Sequence, residues 1–283
     1  MSDKKVTIHD VRQAKKEGRK LTMLTAYDYP FGQLMDLAGI DIVLVGDSLG
    51  MVVMGLEGTV EVTMENMIHH TRAVVRGCKR PLVVADMPFM SYNTSIREAI
   101  VNAGRLMKEG GADVVKLEGG VDFAETVEAV VKAGIPVQGH IGLTPQTASA
   151  LGGFKTQGRD AESARRVIED AKALEEAGAF SIILEAVPGA VGRLTAEAVK
   201  IPVIGIGAGQ EVDGQVLVTH DLLGLFDKFV PKFVKSYTQI RPIILEALTA
   251  YREEVKEGKF PGPEHSFAIS EEALALLEKS LEK

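Results

Sequence analysis

A chain of 283 residues, 46% hydrophobic and 25% charged, has enough material for a sizeable core. Its formal net charge of −7, without any basic tract, leaves no electrostatic footprint for nucleic acid, and no apolar run approaches the ~20 residues of a membrane span. The single cysteine, Cys78, excludes an internal disulfide and fits a reducing compartment, so a soluble cytoplasmic protein is expected.

The segment Met1-Ser2-Asp3-Lys4-Lys5 has no apolar stretch behind it, so no secretory leader is expected. A short helix follows over 7–18, with Thr7 as N-cap, Asp10 three residues on and Gly18 as the stop; it is placed to close the bottom of a barrel. The first strand is read over 21–26 and its helix over 31–38. The second strand, Ile42-Val43-Leu44-Val45, runs into Gly46-Asp47-Ser48. The long connection after it reads as a hairpin, with Met51–Met54 and Thr59–Thr63 flanking Gly55-Leu56-Glu57-Gly58. A helix over 64–76 and a strand over 81–85 come next, then a loop from Asp86 to Tyr92. The alternation continues with a helix over 95–109, a strand over 113–117, a helix over 121–133 and a strand over 136–140. After a long loop over 141–158 it goes on with a helix over 160–177, a strand over 180–184, a helix over 191–199 and strands over 202–206 and 214–218. A helix over 236–256, the break Phe260-Pro261-Gly262-Pro263 and a last helix capped by Ser270 complete the chain.

About eight strand–helix units predict a single (β/α)8 barrel, an α/β fold of the TIM-barrel kind. The division expected is an N-terminal helix at 1–20, the barrel at 21–258 and a C-terminal helical extension at 259–283, all in one domain, 1–283.

Several strands are short apolar runs that end in an acid: Asp47, Asp86, Glu118 and Glu185. Such runs read as buried parallel strands, whose carboxyl ends are where these folds bind ligands. One acid after a strand is as well explained by a cap or turn. Asp47, Asp86 and Glu118 close consecutive strands, ~4.8 Å apart, and together suit a hard cation such as Mg²⁺ or Mn²⁺. Lys116 shares a strand face with Glu118, which allows an internal ion pair, a cation for a substrate carboxylate, or a Schiff-base lysine. Glu185, across the mouth, is the candidate general base unless it is a cap or a fourth ligand. His140 reads as a hydrogen-bond donor to an oxygen of the ligand, or else as a satisfied core histidine. Ser48 could hold substrate or serve the turn. The Gly205-Ile206-Gly207-Ala208-Gly209 stretch offers a weak phosphate-loop signal, with close packing as its alternative.

The stretches Leu24-Thr25-Ala26-Tyr27-Asp28, Val45-Gly46-Asp47-Ser48-Leu49-Gly50, Ala85-Asp86-Met87-Pro88-Phe89, Lys116-Leu117-Glu118-Gly119-Gly120, Gly139-His140-Ile141-Gly142-Leu143-Thr144-Pro145-Gln146 and Leu184-Glu185-Ala186-Val187-Pro188 lie in one order along the chain. In these it resembles the ketopantoate hydroxymethyltransferases, from Thr7 to about Val234. The resemblance implies a (β/α)8 barrel that transfers a hydroxymethyl group from 5,10-methylenetetrahydrofolate to α-ketoisovalerate, forming ketopantoate for pantothenate and coenzyme A synthesis. It implies Mg²⁺ surrounded by Asp47, Asp86 and Glu118, the keto acid chelating that ion and held by Ser48 and Lys116, and Glu185 as base. It also implies a large homo-oligomer, commonly a decamer. Other readings of the same residues are a lyase or mutase of the phosphoenolpyruvate type, a Schiff-base aldolase through Lys116, and a barrel that serves only as a scaffold.

Overall fold

The computed structural model describes residues 4–150, 152–228 and 230–282; Met1–Asp3, on which the leader expectation partly rests, and Leu151, within the loop expected after the fifth strand, lie outside them. Eight parallel strands close into a barrel in chain order, β1 to β8: Leu21–Thr25, Ile42–Val45, Leu82–Asp86, Val114–Glu118, Val137–Gly142, Ser181–Glu185, Val203–Ile206 and Gly214–Leu217. The near-continuous apolar runs become strands because both faces are covered, one by the barrel interior and one by helices.

The helices are α1 (Ile8–Lys16), α2 (Tyr29–Ala38), α3 (Leu49–Val52), α4 (Met64–Gly77), α5 (Ile96–Arg105), α6 (Ala124–Lys132), α7 (Ala161–Glu176), α8 (Gly189–Ala198), α9 (Thr219–Leu222), α10 (Ile240–Lys256) and α11 (Glu271–Leu281). Most start where a side chain can cap them: Thr7, Thr63 and Asp160 form capping boxes, while Asp28, Ser95 and Ser270 each accept from an N3 backbone N–H. The predicted helix over 95–109 changes pitch midway, α5 passing into a π-helical turn over Leu106–Gly110.

The core has two shells. Inside the barrel pack Leu21, Met23, Ile42, Leu44, Val84, Ile183, Ile204 and Val216, and Val11 and Ala14 of α1 join this cluster, so the N-terminal helix does plug the barrel. A larger cluster fills the space between sheet and helices. The outer ring is incomplete: β7 passes to β8 with no helix between them. Helices α10 and α11 bury none of their residues, and Ile243, Leu245, Leu248 and Phe267 are exposed.

One expected element is absent. No hairpin follows β2; α3 begins at Leu49, and turns lead on to α4. Leu49 and Val62 are buried against the core, and a Cβ on Gly50 would stand 2.8 Å from Val62. Tertiary packing thus overrides the strand preference of the Val-rich runs. Among the described residues no helix is long and apolar enough to cross a membrane.

Candidate active site

Parallel register sets up the site. Asp86 of β3 pairs with Lys116 of β4, Glu118 of β4 with His140 of β5, and Gly142 of β5 with Glu185 of β6. The charged side chains thus stand in a row around the carboxyl end of the barrel. Lys116 Nζ lies 3.0 Å from Asp86 Oδ1, 3.9 Å from Glu118 Oε1 and 3.2 Å from His140 Nδ1. His140 continues the row, with Nδ1 3.2 Å from Glu118 Oε1 and Nε2 3.2 Å from Glu185 Oε2. Asp47, just beyond β2, donates its backbone N–H to Asp86 Oδ2 at 2.9 Å. Asp47, Asp86, Lys116, Glu118 and His140 are all at most 4% exposed.

So many charges in a dry place perturb one another. Burial, reinforced by Asp86 and Glu118, pushes the Asp47 carboxyl well above the usual carboxylate range. Burial also raises Asp86, although Lys116 and the Asp47 N–H oppose it. Burial acts the same way on Glu118 but is outweighed by His140 and Lys116, which leave its carboxyl low. For Lys116, burial favours the neutral amine, yet the three surrounding carboxylates hold it as ammonium. His140 is pushed down by burial and by Lys116, and up by Glu118 and Glu185; the acids prevail, at about 9. The lysine's ion-pair reading therefore describes its present surroundings, and His140 bridges two acids.

Glu185 is the least buried member, its side chain 16% exposed. It is held by a tight corner. Gly142 has φ +88°, and a Cβ there would stand 2.3 Å from the Glu185 carbonyl oxygen. Ala186, next in the chain, is one of two non-glycine residues with positive φ among the described residues, at 49°. Such a conformation costs roughly 1–3 kcal/mol and is kept where the surroundings over-determine it.

Behind the acids lies a satisfied polar network that the charge pattern did not announce. Gln146 donates from Nε2 to Asp47 Oδ2 at 2.8 Å and to the Met87 carbonyl at 3.0 Å, and its backbone N–H donates to Glu118 Oε2 at 3.0 Å. The Tyr92 hydroxyl donates to Gln146 Oε1 at 2.6 Å and accepts from the Glu118 N–H at 3.2 Å. Ser48, half-buried, meets the Tyr27 hydroxyl at 2.9 Å. Pro145 and Gln146 lie in the long loop after β5, where a neutral polar residue reads as ordinary turn chemistry.

Asp47, Ser48, Asp86, Lys116, Glu118, His140 and Glu185 border one cavity of about 440 Å³ at the barrel mouth. One side of its lining is the charged row with Asp47 and Ser48; the rest includes Met51, Val52, Pro145, Phe154, Phe226 and Phe233. The three acids converge without closing a cage: among the described residues, no three His, Cys, Asp or Glu side chains form a ready metal site. The donor chemistry nonetheless fits a hard cation. It is all carboxylate, and Asp86 Oδ1 and Glu118 Oε1 are buried without a well-formed hydrogen bond. Four carboxylates against two cationic side chains also leave the cluster short of positive charge.

The glycines after β7 serve packing. Gly207 and Gly209 have φ +65° and +83°; a Cβ would meet the Phe233 ring at 2.6 Å and Gly189 Cα at 2.7 Å respectively. The packing reading of this stretch accounts for them.

A parallel (β/α)8 barrel with a buried acid–lysine–histidine row under a mouth cavity defines a barrel enzyme of small-molecule chemistry. The sequence model of the ketopantoate hydroxymethyltransferases matches residues 5–263, and the chain belongs to that family. It is 57% identical to the 3-methyl-2-oxobutanoate hydroxymethyltransferase of Heliobacterium modesticaldum, over 96% of this chain and 99% of that one. It is 58% identical to the enzyme of the same name from Enterococcus faecalis, over 94% and 97%. Among solved structures, a phosphonopyruvate hydrolase superposes with TM-score 0.61 at 13% identity, covering 96% of this chain and 95% of that one. A 2,3-dimethylmalate lyase of the PEP mutase/isocitrate lyase superfamily gives 0.57 at 14%, covering 97% and 96%. Those two are likenesses of fold.

Proposed function

We propose that the protein transfers a hydroxymethyl group from 5,10-methylenetetrahydrofolate to α-ketoisovalerate, forming ketopantoate, as a cytoplasmic step of pantothenate and coenzyme A biosynthesis. Family membership supports the reaction, and the row from Asp86 to Glu185 along one side of the mouth cavity is the observation that carries the mechanism.

The C3 hydrogen of the keto acid is α to a carbonyl and weakly acidic. Asp47, Asp86 and Glu118 would hold Mg²⁺. When bound, that ion supplies Lewis-acid polarisation of the keto oxygen and the positive charge that the cluster lacks. The Lys116 ammonium and the Ser48 hydroxyl hold the substrate's oxygens, and His140 keeps Glu185 turned toward the row. Glu185, the most accessible acid of the row, takes the C3 proton. The resulting enolate carbon bonds to the one-carbon unit. Both C–N bonds of the one-carbon unit break; one water supplies the hydroxyl oxygen and one proton, the C3 proton is the other, and the folate leaves with N5–H and N10–H as tetrahydrofolate. The apolar part of the cavity, with Phe154 58% exposed at its edge, suits the large co-substrate.

The test is deuterium exchange at C3 of α-ketoisovalerate in D₂O, followed by NMR with Mg²⁺ and with EDTA. Exchange that EDTA abolishes is the expected result. Absence of exchange in both would overturn metal-assisted enolisation by this row.

We infer further that the chain assembles as a homo-oligomer, with a decamer as the expected size. The exposed apolar side chains of α10 and α11 need a covering surface in water, and a second copy provides one. Light scattering should return a multiple of the 30.4 kDa chain, and a monomer would refute the assembly.

A further inference from the structure

The cavity lining holds one more acid that the chemistry above does not use. It is Asp221, in the short helix after β8, and is only 8% exposed. Its Oδ1 is buried without a partner, and among the described residues neither carboxylate oxygen takes part in a hydrogen bond or ion pair. Of the polar groups around it, Thr219 and Tyr27 are spoken for, while His220 Nδ1 is buried without a partner. Thr219 donates its backbone N–H to Thr25 Oγ1 at 2.9 Å, and Tyr27 is engaged with Ser48. An unpaired carboxylate in an apolar wall is costly to keep, and burial pushes this one up to about 6.

Its place is informative. The charges of Asp221 and of Asp86 both reach Tyr27, whose hydroxyl meets Ser48, the residue after Asp47. Asp221 follows β8, which lies across the closed barrel from β4, the strand that carries Lys116 and Glu118. Val218, whose carbonyl accepts the Asp221 N–H, and Phe226, whose N–H bonds to the His220 carbonyl, line the cavity with Phe233, all flat or branched apolar groups.

We infer that Asp221 recognises the pyrimidine edge of the co-substrate's pterin ring, an inference that rests on the folate reading above. That edge presents the 2-amino group and N3–H as two adjacent donors; Oδ1 is shielded from the cavity, so Oδ2 is the oxygen that accepts from them. The ring faces are apolar and suit the Phe226 and Phe233 side of the cavity. The one-carbon unit sits on the opposite, pyrazine side. A ring anchored at Asp221 therefore turns its reactive end back toward the keto acid on the row.

The test compares the holoenzyme with Asp221→Asn, an isosteric change that puts an amide NH₂ against the ring donors. KM for methylenetetrahydrofolate should rise about 10- to 100-fold, the loss expected of a hydrogen bond to a charged group. C3 exchange of the keto acid, which needs no folate, should stay within twofold and reports an intact fold. A second arm needs no variant: a 2-desamino tetrahydrofolate should inhibit the wild-type enzyme at least tenfold less well than tetrahydrofolate, and D221N should no longer tell the two apart. An unchanged folate KM in D221N, or a wild type blind to the 2-amino group, would overturn the assignment. If the wild-type enzyme exchanges the keto-acid proton yet uses no folate, the folate reading itself falls and takes this inference with it.

Discussion

Glu185→Gln should slow C3 proton exchange of α-ketoisovalerate by about 10²- to 10⁴-fold, the usual range for loss of a general base, while keto-acid affinity changes only a few-fold. The amide keeps the shape of the side chain and cannot take a proton. The rest of the row keeps its own contacts: Lys116 still pairs with Asp86 at 3.0 Å, and His140 Nδ1 still faces Glu118 at 3.2 Å. Binding and base catalysis are thereby separated. The variant also removes one of the two carboxylates that hold His140 protonated, so the imidazole pKa should fall from about 9. Exchange measured by NMR, calorimetric binding of the keto acid and an NMR titration of His140 check the three parts. Wild-type exchange in Glu185→Gln would move the base to another group of the row. Loss of keto-acid binding in step with exchange would make Glu185 a substrate contact instead.

Much of the site was legible because of how parallel barrels are built. A strand buried on both faces is an apolar run, so an acid at its end stands out against the background, as Asp86, Glu118 and Glu185 do. Spacing also put Lys116 and Glu118 on one face. Register was not legible. Only the closed barrel sets Asp86 beside Lys116 and Glu118 beside His140, and so turns His140 into a bridge between two acids. Gln146 and Tyr92 were passed over because neutral polar residues in loops carry no signature until a carboxylate is found against them. Asp221 lies after the weakest strand pattern, in a four-residue helix no periodicity could reveal. The false hairpin after β2 has the same origin in reverse. Its Val-rich pattern was genuine, but the core claimed Leu49 and Val62 for packing.

Lys116→Met should destabilise the protein by about 3–5 kcal/mol, the cost of removing one partner from a buried ion pair, which lowers Tm on the order of 5–10 °C for a chain of this size. Methionine fills most of the lysine's volume, so the loss is one of charge. The deficit should depend on pH in a definite direction. Asp47 and Asp86 already have folded-state pKa values above their unfolded ones, so they favour the folded state when protonated, and that contribution is lost as pH rises through the folded values. Lys116 opposes both shifts, so its removal raises the two carboxyls further and carries the loss to higher pH. The gap between wild type and K116M should therefore be widest above neutrality and narrow as pH falls toward the carboxylate range. Thermal melts of both proteins from pH 5 to pH 8, without added metal, measure it. A gap that is flat across this range would mean that Lys116 acts mainly by packing. A gap that widens on acidification would contradict the ammonium–carboxylate pairing itself, because the cation is worth most where the acids around it are ionised.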